Sequence, residues 1–261
     1  MTDSRTDYAG TDQERLWDAD AAARYDTPDE GMFAPDTLDP AVDRLAALAG
    51  RGSAVELAVG TGRVAIPLAA RGVPVTGIEI SRHMVARLRE KADERTLPVV
   101  VGDRGAAGGP GEHGGGARVA RRGGGRGAPG GGVECFRNAA RHLVPGGRFV
   151  VELWVPELRA LPPGRTATVW LAEPGHLGVD TYDVLHQRVV SHHVRFDDDG
   201  HATVGRTPHR YVWPPELDLM ARLAGLELET RHAGWAGEPF TAESPSHVSV
   251  YRRPPRPAPA T

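Results

Sequence analysis

In Val55-Glu56-Leu57-Ala58-Val59-Gly60-Thr61-Gly62-Arg63 an apolar strand runs into a glycine turn, and the turn opens a helix. The apolar run begins at Ser53 and ends at Val59, and the helix it feeds, Arg63–Arg71, is stopped by Gly72. A second strand, Val73–Ile80, follows. Ser81 then caps a helix carrying Met84, Val85 and Leu88 on one face, and Pro98–Val101 makes a short third strand. Apolar strands that alternate with helices belong to a parallel sheet covered on both faces. The expected fold class is α/β, with a doubly wound, mostly parallel sheet.

Upstream, the stretch 1–15 is polar and reads as a tail. Asp39-Pro40 reads as the N-cap and first position of a helix over Val42, Leu45 and Leu48, ended by Gly50 and Gly52. Downstream, Val133–Leu143 has helical phase, and Pro145-Gly146-Gly147 turns into the apolar strand Arg148–Val155. From about Thr166 to Val212 the pattern changes to alternation, in Gln187–Phe196 and Ala202–Trp213, joined by Asp197-Asp198-Asp199-Gly200. Residues 166–212 are therefore expected to form an antiparallel insert. Pro214-Pro215 opens a helix ended by Gly225, strands near Leu226–His232 and His247–Arg252 follow, and 253–261 is a proline-rich tail. A single domain over 16–252 is the expected organisation.

Composition excludes several classes. Of 261 residues, 40% are hydrophobic and 25% charged, as in an ordinary folded domain. With 31 basic against 34 acidic residues the net charge is −3, which argues against a protein built mainly to hold nucleic-acid phosphates. No apolar run approaches the roughly 18 residues of a membrane span, and the N-terminus is too polar for a signal peptide. Cys135 is the single cysteine, so disulfide frameworks and cysteine-based zinc sites are out and a cytoplasmic location is expected. Lys91 is the only lysine and Asn138 the only asparagine, and isoleucine occurs three times. That depletion is the mark of a very GC-rich gene.

The chemistry gathers at the carboxyl ends of the strands. Gly60 and Gly62 let backbone come close to a ligand, and the helix beyond them favours negative charge. Glu79 ends the second strand, one helix beyond Gly60, where a carboxylate can take ribose hydroxyls, and Asp103 ends the third. Position 65 is Ala, so a dinucleotide G-x-G-x-x-G is met only in its G/A variant. Glu56 inside the first strand is unhelpful to a pyrophosphate and suits a ligand with a positive amine.

On these residues, and on Gly77-Ile78-Glu79-Ile80-Ser81, Val101-Gly102-Asp103 and Leu143-Val144-Pro145-Gly146-Gly147-Arg148-Phe149, the chain resembles class I S-adenosylmethionine-dependent methyltransferases. The resemblance is closest in style to actinobacterial enzymes acting on small molecules. It implies a Rossmann-like sheet, S-adenosyl-L-methionine as cofactor and a small-molecule acceptor. The glycine loop would hold the methionine end, Glu79 the ribose and Asp103 the adenine amine, with Tyr25-Asp26 closing over them. The implied cofactor set is Tyr25, Glu56, Ala58, Gly60, Thr61, Gly62, Arg63, Glu79, Ile80, Met84 and Asp103. Ala58 departs from the family, which usually has a glycine there; the methyl reads as a mild change. The insert would cover the acceptor, with His193, His209 and Tyr211 as catalytic candidates, His209 and Tyr211 sharing one face with Trp213. The competing reading of each is an ordinary hairpin side chain, and of His192, alternating with Val190, Val194 and Phe196, a buried histidine. No metal-ligand spacing stands above chance.

One segment breaks the pattern. From Arg104 to Gly132 nearly every second residue is glycine, most of the others are Arg, Ala or Pro, and only Val119 is a sizeable aliphatic. The fourth strand, central in such a sheet, should lie here, and a central strand needs buried side chains on both faces. Three readings compete: an Arg/Gly insert that touches RNA, a plain linker, or a stretch translated out of frame. The last accounts for both the abrupt edges and the length. A disrupted fourth strand is expected, and with it an alternative to the enzyme: an inactive remnant that binds the cofactor alone. A protein associated with RNA through the segment is the weaker alternative.

Overall fold

A computed structural model describes residues 17–102, 117–120 and 129–255. They divide between two compact units, one ending at Arg118 and the other beginning at Val119.

The first unit opens with a short helix, α1 (Ala19–Ala23), capped by the Asp18 carboxylate on Ala21 N, and with α2 (Pro35–Ala49). Pro35 takes the first position of α2, and Pro40 lies inside the helix, so Asp39 is not its cap. The strands β1 (Ala54–Leu57), β2 (Val75–Glu79) and β3 (Val99–Val101) are parallel, with Val55 opposite Thr76 and Ile78 opposite Val100. All of β1 and β2 is buried, including Glu56, Thr76 and Glu79, as in strands covered on both faces. Between the strands run α3 (Ala65–Ala70) and α4 (Arg82–Arg89), the latter capped by Ser81 Oγ on Met84 N at 3.2 Å.

The fourth strand is present, against expectation. Ala117–Ala120 forms β4, which neighbours β1, so that the first unit reads β4-β1-β2-β3. Strand pairing uses backbone N–H and C=O groups, which any residue but proline supplies. The stretch 117–122 is the longest glycine-free run between Arg104 and Gly132, and it holds the one large aliphatic there.

In the second unit the order is β10-β11-β5-β4, built from β5 (Arg148–Trp154), β10 (Glu227–His232) and β11 (Ser246–Arg252). β11 runs antiparallel to both of its neighbours. The helices of this unit are α5 (Pro129–His142) and α6 (Pro214–Leu223). The first begins one turn before the expected start, with proline at its first position, where the missing N–H costs nothing. Gly132 serves packing: a β-carbon there would come within 2.8 Å of Met220 Sδ on α6. Phe136, Phe149 and Tyr251 fill the core in edge-on contacts of 5.0 and 5.4 Å.

The alternating region forms its own antiparallel sheet, β6 (Ala167–Glu173), β7 (His176–Asp183), β8 (Arg188–Phe196) and β9 (Ala202–Arg210), in that order. Its Asp197–Gly200 turn closes with Gly200 N on Asp197 O at 3.0 Å. Tyr182, Val189 and Tyr211 anchor the sheet in a core shared with Trp154, Leu158 and Leu161. β6 carries a bulge between Val169 and Leu171, and β9 contains Pro208.

Candidate functional site

The glycine turn beyond β1 is left-handed at alternate positions: Ala58 has φ +59°, Gly60 +58° and Gly62 +86°. The glycines do different work. Among the described residues nothing lies within 4 Å of a β-carbon placed on Gly60, whereas one on Gly62 would strike Ile66 at 2.8 Å. Gly60 thus presents bare backbone to open space, and Gly62 lets the turn pack on α3. Gly77 is a third packing glycine, its place filled by Val59, which a β-carbon would approach to 2.6 Å. Ala58 is exposed and carries a β-carbon in a conformation that costs an L-residue about 1 kcal/mol or more. The methyl there is a strain as well as a departure.

Glu79, at the end of β2, is buried and clasped by three backbone amides. Its Oε2 accepts from Gly60 N at 2.8 Å, and Oε1 accepts from Ile80 N and Ser81 N at 2.9 Å each. The carboxylate therefore fixes the glycine turn and keeps an acceptor lone pair on Oε2 for a further donor.

A segment from Trp17 to Phe33 is tied onto this turn. Tyr25 meets Trp17 and Phe33 edge-on at 5.5 and 5.9 Å, and Ser81 Oγ donates to Trp17 O at 2.6 Å. Asp26 accepts from the buried Thr61 hydroxyl at 2.5 Å through Oδ1 and from Lys91 Nζ at 2.7 Å through Oδ2. Arg63 donates to Met32 O at 2.5 Å and stacks over Phe33 at 5.5 Å. Arg63 is thus a strut for this segment. Of the other expected cofactor residues, Glu56 lies buried within β1, Met84 is buried on α4, and Ile80 contributes its amide to Glu79. Asp103 falls outside the described residues. These groups fit S-adenosylmethionine: open backbone at Gly60 and a fixed carboxylate at Glu79. Sequence reasoning missed Trp17, Phe33 and Lys91. Their partners here, Ser81, Arg63 and Asp26, lie in distant elements, so the contacts leave no local periodicity.

The hairpin candidates do not converge. His193 lies opposite Gly205 and His209 opposite Val189, so the two histidines are about 13 Å apart along the ladder. Tyr211 is buried against Tyr182, Trp154 and Trp213. Burial, with the Asp183 charge, raises its phenol above the ordinary value. His192 is half-buried, bonded to Thr181 Oγ1 at 3.0 Å. His193 is bonded to His176 at 3.1 Å, and burial followed by the Arg195 charge lowers its pKa.

Comparison with known proteins decides the family. The solved structure of the CcbJ methyltransferase from Streptomyces caelestis is 34% identical, with 90% of this chain and 96% of that one covered at a TM-score of 0.75. This chain belongs to the class I S-adenosylmethionine-dependent methyltransferases. A methyltransferase-domain family matches residues 54–113 of the enzyme. A cypemycin N-terminal methyltransferase from a Streptomyces species is 28% identical over 204 residues, 76% of this chain and 82% of that protein. CalS10, an amino pentose methyltransferase of Micromonospora echinaspora solved with S-adenosylmethionine bound, shares the fold at 19% identity and a TM-score of 0.62, over 83% of this chain and 89% of its own. The reaction of this methyltransferase is methyl transfer from S-adenosylmethionine, and such relatives favour it over a remnant or an RNA-associated protein. No helix among the described residues is long and apolar enough to cross a membrane.

Proposed function

We propose that this methyltransferase methylates an amine nitrogen of a small-molecule acceptor. The sulfonium methyl of S-adenosylmethionine is already activated, so the protein has to align a nucleophile and exclude water. A hydroxyl acceptor needs a base to take its proton, while an uncharged amine attacks unaided. The observation that carries the reading is the weakness of two of the three hairpin candidates, Tyr211 and His193, as bases. Tyr211 is held protonated by burial, and His193 is depressed and already bonded to His176. The cypemycin relative, whose name places its methyl group at an N-terminus, supports the same class of acceptor.

In this reading Gly60 and Glu79 hold the cofactor's methionine and ribose parts, and Tyr25 covers them. Asp26, Thr61, Arg63 and Lys91 hold the cover in place. The test pairs amines with their hydroxyl counterparts, such as glucosamine with glucose and alaninamide with lactamide. Methylation of amines alone, detected by mass, is the expected result. Transfer to the hydroxyl compounds, or parent protein that fails to bind S-adenosylmethionine, would overturn it.

A further inference from the structure

We propose that the four-stranded sheet carries a binding platform for a sugar ring, built from Trp170, His176 and His193. The platform stands on its own geometry; only the role of a sugar as part of the acceptor rests on the function proposed above.

Trp170 sits at the bulge of β6, where the register slips between Val169 and Leu171. A bulge re-aims a side chain, and here the indole is laid across β7. A β-carbon on Gly178 would meet Trp170 Cε2 at 2.5 Å, Cζ2 at 2.6 Å and Cδ2 at 2.8 Å. Nearly equal distances to three ring atoms mean that the ring lies face-down on the glycine. With that face covered, its 45% exposure belongs to the outer face and rim. A tryptophan laid flat needs a strand residue without a side chain beneath it, and Gly178 is that residue.

The two imidazoles stand beside this floor as a wall. Their planes make angles of 82° for His176 and 75° for His193 with the indole, at centroid distances of 6.4 and 5.1 Å. They stack on each other at 5.3 Å, with His176 Nε2 3.1 Å from His193 Nδ1. That bond uses one nitrogen of each ring and leaves His176 Nδ1 and His193 Nε2 outside it. Burial, then Arg195 and His176, hold His193 below the ordinary histidine range. Imidazole nitrogens donate or accept according to tautomer, so the remaining pair can meet hydroxyls, which do both.

A flat apolar floor beside a polar wall selects among occupants. A pyranose has a face of C–H groups and a rim of hydroxyls, and it matches both surfaces. A planar aromatic ring would stack but leave the wall without partners. An ammonium ion would also be drawn to an indole face. Arg195, opposite His176 in register, opposes it, and Asp180, two residues beyond Gly178 on the same strand, favours it. A quaternary ammonium, however, has no group to bond the imidazoles.

The experiment titrates the full chain with methyl β-glucopyranoside, following the Trp170 indole and the His193 ring by NMR. Tetramethylammonium serves as the competing probe. Saturable shifts at both residues with the glucoside are expected, weakened roughly tenfold in Trp170→Ala and less in Trp170→Phe. S-adenosylmethionine affinity, measured on the same samples, should be equal in all three proteins and reports that the variants are folded. Glucosamine, incubated with S-adenosylmethionine, separates two sources of the ring. A raised KM at unchanged kcat in Trp170→Ala places the sugar on the acceptor. An unmoved KM with glucoside binding lost places it on a separate saccharide, and the platform stands in both cases. No shift at Trp170, equal binding by Trp170→Ala, or binding of tetramethylammonium in place of the glucoside would overturn it. Loss of cofactor binding by the parent would instead count against the methyl-transfer reading alone.

Discussion

Lys91 Nζ lies 2.7 Å from Asp26 Oδ2, while the other oxygen of the same carboxylate holds the Thr61 hydroxyl. The chain's only lysine thereby fixes the segment tied onto the glycine turn, far from it in sequence. The pair is partly exposed, so its contribution is modest, about 0.2–1 kcal/mol. Lys91→Met should raise the S-adenosylmethionine Kd by roughly two- to fivefold. Calorimetry at low and high salt checks this, since the parent should lose affinity with salt and the variant should lose less.

Glu79→Ala should be more severe. It removes the acceptor for the Gly60, Ile80 and Ser81 amides at once. The expected loss of S-adenosylmethionine affinity is about 1–3 kcal/mol, and Glu79→Gln should recover part of it through its remaining carbonyl. Equal affinity of parent and Glu79→Ala would remove this residue from the site.

Ala58→Gly should stabilise the fold. Ala58 holds φ +59° on an exposed turn, and glycine enters that region without the β-carbon clash. The gain in unfolding free energy should be about 1 kcal/mol, reduced by the greater freedom of glycine in the unfolded chain. Urea denaturation measures it, and a destabilised variant would show that the alanine methyl makes a contact worth more than the strain.

His247 gives the fold an acid limit. It is wholly buried, with Nδ1 on Ser249 Oγ at 2.9 Å and Nε2 without a hydrogen-bond partner among the described residues. Burial, then the Arg231 charge, lowers its pKa from 6.5 to about 4, against opposing pulls from Asp218 and Glu152. The folded pKa lies below the unfolded one, so the unfolded chain binds the extra proton in between. Stability from this residue is intact above pH 6.5 and is lost as pH falls towards about 4, by a total of about 3 kcal/mol. In His247→Gln the decline of Tm across that window should be smaller than in the parent. Parallel declines would assign the acid sensitivity elsewhere.

Much of this architecture is legible in the residues. Runs such as Val55–Val59 and Val73–Ile80 show their burial by being mostly apolar on both faces, and Ser81 shows a helix start by its position. The place of Glu79 follows from strand length alone. The long-range contacts are different. Nothing near Asp26 in sequence points to Thr61 or Lys91, and Trp17 meets Ser81 only because α1 folds back on the turn. The fourth strand was hidden for another reason. Glycine dominates Arg104–Gly132, and side-chain pattern cannot reveal a strand whose place depends on backbone pairing. Gly132 and Gly178 were equally opaque, because each is explained by the neighbour that occupies its missing side chain, Met220 and Trp170.

The bulge in β6 and Pro208 in β9 have a consequence for solubility. These are the two outer strands of the four-stranded sheet, which leaves Val169, Phe196 and Val204 open to water. A flat sheet with such side chains could template the addition of foreign strands, rung by rung, at either rim. Here one rim is kinked by an extra residue and the other lacks an N–H at Pro208, so neither offers an unbroken row of donors and acceptors. The apolar side chains can then meet water without the sheet growing.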